Sequence, residues 1–447
     1  MSVFNRDSDD DVARGARALV VRADVPGPAL RDPAARLEEA EGLALAIGID
    51  VVWRESFRVR QIKPATLFGS GQVEQIAAQA EAQGAELVIV DNALSPVQQS
   101  NLEKAFGAKV IDRTGLILEI FGERAATNEG RLQVELAHLD YQAGRLVRSW
   151  THLERQRGGF GFLGGPGETQ IEADRRMIRD RMAKIRRELD QVTRTRGLHR
   201  ARRQRAPWPV IALVGYTNAG KSSLFNRMTG ADVMAQDMLF ATLDPTMRQI
   251  SLPGLDKAIL SDTVGFVSDL PTQLIAAFRA TLEEVVHADL IIHVRDISHA
   301  DTEAQRSDVM QVLHELGLQV GEGAATAMND DGEGFAPAYI EAWNKIDLLH
   351  GEGRDEIDHA AQRRDDVVLL SAVTGEGVDA LRRAISARMT EGSRVYVLAL
   401  PSSDGASLAW LHEHGEVLKT EEGEEGTELA VSVRLSDAAH ARFMARE

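Results

Sequence analysis

The run Gly215-Tyr216-Thr217-Asn218-Ala219-Gly220-Lys221-Ser222 stands directly after the apolar stretch VIALV and directly before the helical stretch SLFNRM. GxxxxGKS in that setting constrains the fold more than any other part of the chain. Its glycines let the backbone fold back tightly, so that successive N–H groups, a helix N-terminus, the Lys221 point charge and the Ser222 hydroxyl converge on one anionic group. Strand, loop and helix in this order open an α/β unit with a mainly parallel sheet. Residues 215–222, with Ser223 behind them, therefore read as a phosphate site, and Ser222 as a hydroxyl for Mg²⁺.

A second stretch says which nucleotide carries the phosphates. Asn344-Lys345-Ile346-Asp347 follows an apolar run, 129 residues after Gly215. A carboxylate at Asp347 can accept from both N1–H and the 2-amino group of guanine, which adenine does not offer. Ser371 and Ala372, with Val373 next to them, end the strand-like DVVLL and complete a guanine pocket. Between the two stretches lies Asp262-Thr263-Val264-Gly265, after KAILS. There a carboxylate can hold Mg²⁺ through water, and the Gly265 N–H can sense a γ-phosphate. Upstream, Phe240-Ala241-Thr242-Leu243-Asp244 leads to Pro245 and Thr246, so that two threonines compete to give Mg²⁺ its second hydroxyl. The two segments form switch loops held by the γ-phosphate and released after hydrolysis.

Outside this unit the pattern changes twice. From Ala16 to about Ala126, short apolar runs alternate with helical periods: ARALVVRAD, a helix near Pro33 to Ile47, IDVVWRESFRV, a helix from Gln72, AELVIVD, a helix from Pro96 and AKVID. That alternation predicts another α/β domain with a largely parallel sheet. Gly69 and Gly71 in TLFGSGQVEQI precede a helix and leave open either a plain turn or a second phosphate seat. Next, Leu132, Leu136, Leu139, Ala143, Leu146, Trp150 and Leu153 fall at heptad spacing, as do Ile171, Ile178, Met182, Ile185, Leu189 and Val192. Each set makes a narrow apolar seam, and two such helices pair. GGFGFLGGPG between them holds six glycines and a proline and continues neither helix. The expectation is an antiparallel hairpin whose arms of about 27 residues carry a glycine-rich tip roughly 40 Å from the base.

Charge follows the same division. The 447 residues carry a net charge of −17, yet Glu168 to Arg205 holds thirteen Arg or Lys against six Asp or Glu, leaving −24 elsewhere. Arg194, Arg196, Arg200, Arg202, Arg203 and Arg205 stand with no acidic neighbour, in the manner of a surface for an anionic polymer. Phe160 and Phe162 at the tip are candidates to stack on unpaired bases. The bland alternatives are a solvated helix face and apolar side chains folded back onto the arms. With no cysteine, thiolate metal sites, disulfides and cysteine nucleophiles are excluded. No apolar run approaches the roughly 20 residues of a bilayer span, and the acidic start MSVFNRDSDDD lacks the pattern of a signal peptide, so a cytoplasmic protein is expected. Residues 321–337 are Gly/Ala/acidic and read as an insertion. The last 55 residues read as β-α-β-β-α, small enough to lean on a neighbour.

GYTNAGKSSLFN, LFATLDPT, DTVGF and NKID, in this order and after GGFGFLGGPGETQIEADRR, resemble the TRAFAC-type GTPases and, more closely, the HflX family of ribosome-associated GTPases. The resemblance covers about residues 15–390. It implies GTP hydrolysis with Mg²⁺, binding to ribosomal RNA of the large ribosomal subunit and, in several members, splitting of stalled or idle ribosomes. It also places the second Mg²⁺ threonine at Thr242, so that Lys221, Thr242 and Gly265 become the catalytic candidates. The expected fold class is α/β. A P-loop GTPase domain (207–392) is preceded by an N-terminal α/β domain (1–127) and a helical hairpin with a basic second arm (128–206). It is followed by a small α+β domain (393–447).

Many small GTPases place a glutamine after DxxG to orient the attacking water, where this chain has Phe266. A phenyl ring cannot hydrogen-bond water, so hydrolysis is expected to be slow alone and stimulated by a partner, with no general base in the chain. In some related GTPases the residue at Asn218 helps to hold K⁺ beside the phosphates; the other reading is an asparagine that only fixes the loop. Nothing in the sequence requires more than a monomer that cycles between GTP and GDP. Two alternatives stay open: a nucleotide-gated switch whose partner is a non-ribosomal protein complex, and a second nucleotide, ATP, on the N-terminal domain.

Overall fold

The computed structural model describes residues 15–25, 31–125, 127–156, 170–203, 208–231, 240, 246–253, 255–268, 282, 284–320, 337–390, 393–422, 427–436, 440, 443 and 444. The first sheet is all parallel, in the order β2-β1-β3-β4, from β1 (Arg17–Asp24), β2 (Asp50–Arg58), β3 (Leu87–Val90) and β4 (Lys109–Asp112). β1 and β3 are buried on both faces, which is why RALVVRAD and LVIV read as apolar runs without alternation. The helices start where the chain supplies caps. Asp32 caps α1 (Pro33–Leu45), with Pro33 at the first position. Ser95 and Gln98 form a capping box on α3 (Pro96–Phe106), and Asp112 accepts the Gly115 N–H at the start of α4 (Arg113–Arg124). α2 (Ser70–Gln83) begins two residues before the expected Gln72, and Gln72 Oε1 accepts the Gly69 N–H, so one donor of the glycine turn is used within its own helix.

No helix is expected from the sequence between β4 and the hairpin. α4 lies there, with Leu116, Ile117, Leu118, Ile120 and Phe121 all buried. Burial over most of the circumference narrows the polar stripe to Glu119 and Glu123, too little to mark a helical period.

The hairpin arms are α5 (Asn128–Gln156) and α6 (Gln170–Arg203). Met182 and Ile185 of the expected seam are buried, and Arg181 forms a two-pronged ion pair with Glu135 across the arms. The first arm does more than its heptads suggest. Val134 and Ala137, which lie off the seam, are buried in the core of the first sheet's helices, and the Tyr141 hydroxyl donates to Asp112 at 2.6 Å. α5 thus carries two buried stripes, one for α6 and one that fixes the hairpin to its base.

The second sheet has the order β10-β9-β8-β5-β7-β6 and is parallel except for β6. Its strands are β5 (Val210–Val214), β6 (Thr246–Leu252), β7 (Leu255–Asp262), β8 (Leu290–Asp296), β9 (Ala338–Asn344) and β10 (Val367–Leu369). α7 (Lys221–Thr229), α8 (Thr302–Glu315), α9 (Glu352–Ala361) and α10 (Val378–Thr390) accompany it. The chain runs outward from β5 in both directions, and ligands of such sheets sit beyond the carboxyl ends of the strands at that reversal. The third sheet, antiparallel β11-β13-β12, comes from β11 (Ser393–Pro401), β12 (Glu416–Glu422) and β13 (Glu428–Ser436), with α11 (Gly405–His414). Its core of Leu400, Leu411, Val431, Val433, Leu435 and Phe443 is drawn from its own residues. All but the last residue of the expected insertion at 321–337, and most of the expected final helix, lie outside the described residues. Among the described residues no helix is long and apolar enough to cross a membrane.

Candidate functional site

The loop after β5 is shaped by contacts that only particular residues allow. A Cβ on Gly215 would lie 2.2 Å from the Val294 carbonyl oxygen of β8, and one on Gly220 would lie 2.2 Å from Asn344 Nδ2. Asn218, exposed at the apex, takes a φ of 58°, which asparagine tolerates better than most side chains. Lys221 opens α7 and is buried, and its Nζ donates to the carbonyls of Gly215 at 3.0 Å and Tyr216 at 2.8 Å. Burial pushes its ammonium down to about 8, against the pull of Asp262 in the other direction. The next residue, Ser222, donates its hydroxyl to Asp262 Oδ2 at 2.8 Å, and Asp262 itself is fully buried. Ser223 is half-buried on the first turn of α7.

The DTVG segment closes over this loop. Thr263 anchors it by donating its hydroxyl to the Leu213 carbonyl. A Cβ on Gly265 would meet Thr217 Cγ2 at 2.8 Å and Lys221 Nζ at 3.1 Å, so the backbone here approaches the lysine as no other residue would permit. Val264 is buried. Phe266 bridges to Tyr216 in parallel: it accepts the Thr217 N–H at 2.6 Å and donates its own N–H to Gly215 O at 3.1 Å. Its ring is buried in an apolar cluster with Tyr216, Phe240, Val264 and Val267. Phe266 therefore serves as core where a glutamine would face the pocket.

The guanine-side motifs meet the loop through Asn344. Its Nδ2 donates to Ala219 O at 2.8 Å and its Oδ1 accepts the Ala372 N–H at 2.9 Å, so one amide braces the loop against residues 371–373. Lys345 has a φ of 66° and pairs with Asp296 at the end of β8 at 2.7 Å. Asp347 stands half-buried on the short 3₁₀ turn Ile346–Leu348. Ser371 is fully buried and caps Thr374, while Val373 is exposed. Arg227 of α7 donates to the carbonyls of Ala372 and Val373 and holds this loop from below. Neither Arg227 nor Asp296 lies in a sequence motif that would have marked it.

Also missed is the attachment of this site to the first sheet. The Tyr216 hydroxyl donates to Glu39 at 2.9 Å and accepts from the Ser268 N–H at 2.7 Å and from Arg31 at 3.2 Å. Arg113 donates to Ser268 Oγ at 2.6 Å, to the Ser268 carbonyl, to Glu39 and to Asp91, which also receives Arg22. Burial alone would raise the Glu39 carboxyl, but Arg113 and the Tyr216 hydroxyl hold it below the usual range. Burial and Glu39 push the Tyr216 phenol up to about 12. Phe240 turns its buried ring onto Phe121 of α4 at 4.7 Å and gives its carbonyl to Arg124 at 3.0 Å.

The structure thus gathers residues 215–223, 262–265, 344, 345, 347 and 371–373 at the carboxyl ends of β5, β7, β9 and β10. Ala241, Thr242, Leu243, Asp244, Phe160, Phe162 and Arg205 lie outside the described residues. Arg194, Arg196, Arg200, Arg202 and Arg203 lie on α6, and their side chains are likewise outside the description. Among the described residues no three His, Asp or Glu side chains cluster as a metal site. The hydroxyl and carboxylate of Ser222 and Asp262 form a hard oxygen pair, which suits Mg²⁺ with its remaining ligands from phosphate and water.

Four family models match the chain: "GTP-binding GTPase N-terminal" at residues 34–122, "GTP-binding GTPase Middle Region" at 124–203, "50S ribosome-binding GTPase" at 210–322 and "HflX C-terminal domain" at 356–446. The last takes in the C-terminal 55 residues, which no sequence motif had reached. A GTPase HflX of Magnetococcus marinus is 48% identical over 422 residues, covering 93% of this chain and 92% of that protein. The GTPase HflX of Escherichia coli is 41% identical over 392 residues, covering 85% and 88%. Among solved structures, a GTP-binding protein of Sulfolobus solfataricus in complex with GDP matches 84% of this chain and 99% of that one. At 22% identity and a TM-score of 0.44 it is too distant to bear on the site.

Proposed function

The chain belongs to the HflX family of GTPases, and from that premise we propose that its GTP site is the loop of residues 215–222 and that its GTP-bound form acts on the large ribosomal subunit. One observation carries the first part: a buried lysine, a hydroxyl–carboxylate pair and the closely approaching Gly265 meet at the reversal of a parallel sheet. In this reading the loop's N–H groups and Lys221 take the phosphates, while Gly265 reports on the third of them. Ser222, Asp262 and Thr242 would hold Mg²⁺, which when bound neutralises charge between the β- and γ-phosphates. Asp347 selects guanine, Ser371, Ala372 and Val373 line the base, and Asn344 keeps the two halves of the pocket in register.

The second part rests on charge and shape. Ribosomal RNA is a dense polyanion, and a slender basic arm on an otherwise acidic body gives salt-sensitive affinity with little unspecific adhesion. The domain named for 50S ribosome binding lies within the match at residues 210–322. The proposal includes four units, 1–127, 128–206, 207–392 and 393–447, and the splitting or rescue of stalled or idle ribosomes as the work done with them.

Sedimentation of the full chain with separated ribosomal subunits tests this. Cosedimentation with large subunits in a non-hydrolysable GTP analogue, lost with GDP and falling steeply with salt, is the expected outcome. Equal pelleting in all nucleotide states, or binding that survives RNase and high salt, would instead favour a protein target.

A further inference from the structure

Thr217 occupies the seam between the loop and the DTVG segment. Its N–H is committed to Phe266 O at 2.6 Å, and its Cγ2 is the first atom that a Cβ on Gly265 would meet, at 2.8 Å. The same Cβ position is 3.1 Å from Lys221 Nζ, so Thr217, Gly265 and the lysine ammonium converge at one point. Thr217 is 6% exposed, and its Oγ1 is enclosed with no hydrogen-bond partner among the described residues. A hydroxyl has one donor and two acceptor positions, and enclosing it unsatisfied costs stability that a methyl group in its place would not. Rotation about the Cα–Cβ bond to another staggered rotamer brings Oγ1 to the position that Cγ2 now holds, facing Gly265 and Lys221, while Cγ2 moves on to the third position.

The residue after DTVG offers hydrolysis no polar side chain. The Phe266 ring is buried as core, and its backbone N–H and C=O are both spent on the loop. We propose that the Thr217 hydroxyl is a further catalytic residue of GTP hydrolysis, hydrogen-bonding the γ-phosphoryl group and the attacking water in the place that Phe266 leaves without a polar side chain. The inference rests on the assignment of residues 215–222 as the phosphate loop. In the step, the water oxygen bonds to the γ-phosphorus as the bond from phosphorus to the β,γ-bridging oxygen breaks. That electron pair stays on GDP, and both water hydrogens leave with the phosphate as H₂PO₄⁻. Thr217 keeps its own proton and acts by orientation.

The test uses the full chain with Thr217→Val, which removes the hydroxyl at nearly constant volume, and Thr217→Ser, which keeps it. Three quantities are read: melting temperature without nucleotide, equilibrium binding of GDP with Mg²⁺, and single-turnover hydrolysis of GTP. Thr217→Val is expected to melt no lower than the unsubstituted chain, to bind GDP within about twofold and to hydrolyse GTP about tenfold more slowly, a barrier change of about 1.4 kcal/mol. Thr217→Ser is expected to regain most of the rate. A lowered melting temperature in Thr217→Val, or an unchanged rate with normal GDP binding, overturns this inference alone. Absence of GDP binding by the unsubstituted chain overturns the loop assignment and this inference with it.

Discussion

Lys221 shows how one residue's surroundings set a measurable chemistry. Its ammonium is buried against two carbonyls and titrates at about 8, below the ordinary 10.5. Between those values the unfolded chain binds the proton more readily than the folded one, so this residue's contribution to stability rises with pH across that window. Bound phosphate works in the opposite direction, since its charge favours the ammonium. Calorimetry of GDP binding in two buffers of different ionisation enthalpy should therefore show uptake of close to one proton at about pH 9 and almost none at about pH 7. Equal uptake at both would place the phosphates away from Lys221. Asp347 is the other residue whose role reduces to one group. In the proposed site Asp347→Asn exchanges an acceptor for a donor toward the base, and competition binding should shift from guanosine toward xanthosine triphosphate, by about tenfold or more. An unchanged preference would put the base elsewhere. Both residues stand in motifs that the sequence displays, because a motif is a local arrangement and survives without knowledge of the fold. Asn344 was legible only as part of a motif. Its work as a brace to Ala219 and Ala372 joins positions 125 and 28 residues away.

At the scale of elements, legibility followed burial geometry. β1 and β3 were plain because both faces are covered, and α3 because Ser95, Pro96 and Gln98 mark its start. α4 was missed because its contacts with α1, α5 and the second sheet's loops bury most of its circumference and leave only a narrow polar strip at Glu119 and Glu123. The attachment between the sheets was not legible at all: Arg113 reaches Glu39 across 74 positions and Ser268 across 155. That attachment has a testable strength. The Arg113 side chain is 4% exposed and serves Glu39, Asp91 and both oxygens of Ser268. Its positive charge is penalised by burial but held by the Asp91 and Glu39 carboxylates, so that it releases its proton less readily than usual. Arg113→Ala would leave those carboxylates without their common partner, although Asp91 keeps Arg22. The expected loss is about 3–5 kcal/mol in urea unfolding, and Arg113→Lys should recover little of it, since an ammonium lacks the guanidinium's fork of donors. A loss below about 1 kcal/mol would mark the cluster as a surface ion pair in its energetics.

Over the described residues, the first two sheets share one apolar cluster, in which Leu43, Leu116, Phe121 and Val134 are continuous with Tyr216, Phe240, Phe266 and Leu313. The hairpin grows from this shared body, because Val134, Ala137 and Tyr141 of its first arm are packed into the first sheet's helices. A long element anchored on one side and basic on the other separates the place of nucleotide chemistry from the place of contact. Residues 158–167 are the segment that the sequence offers for stacking on RNA, and the residues 215–222 and 262–265 proposed for GTP belong to the second sheet. Removing that tip then changes one property and leaves the other intact. Deletion of residues 158–167, with the arms rejoined by a short flexible linker, should preserve GDP affinity and the slow intrinsic hydrolysis. It should reduce the stimulation of hydrolysis by large subunits about tenfold or more. The residual binding should still weaken with salt, because the basic stretch of α6 from Arg194 to Arg203 is retained and its attraction to phosphate is electrostatic. Stimulation that survives the deletion would move the productive contact off the tip and onto the arms or the body. Loss of intrinsic hydrolysis as well would mean that the hairpin and the GTP site are coupled through the shared cluster more tightly than this division of labour allows.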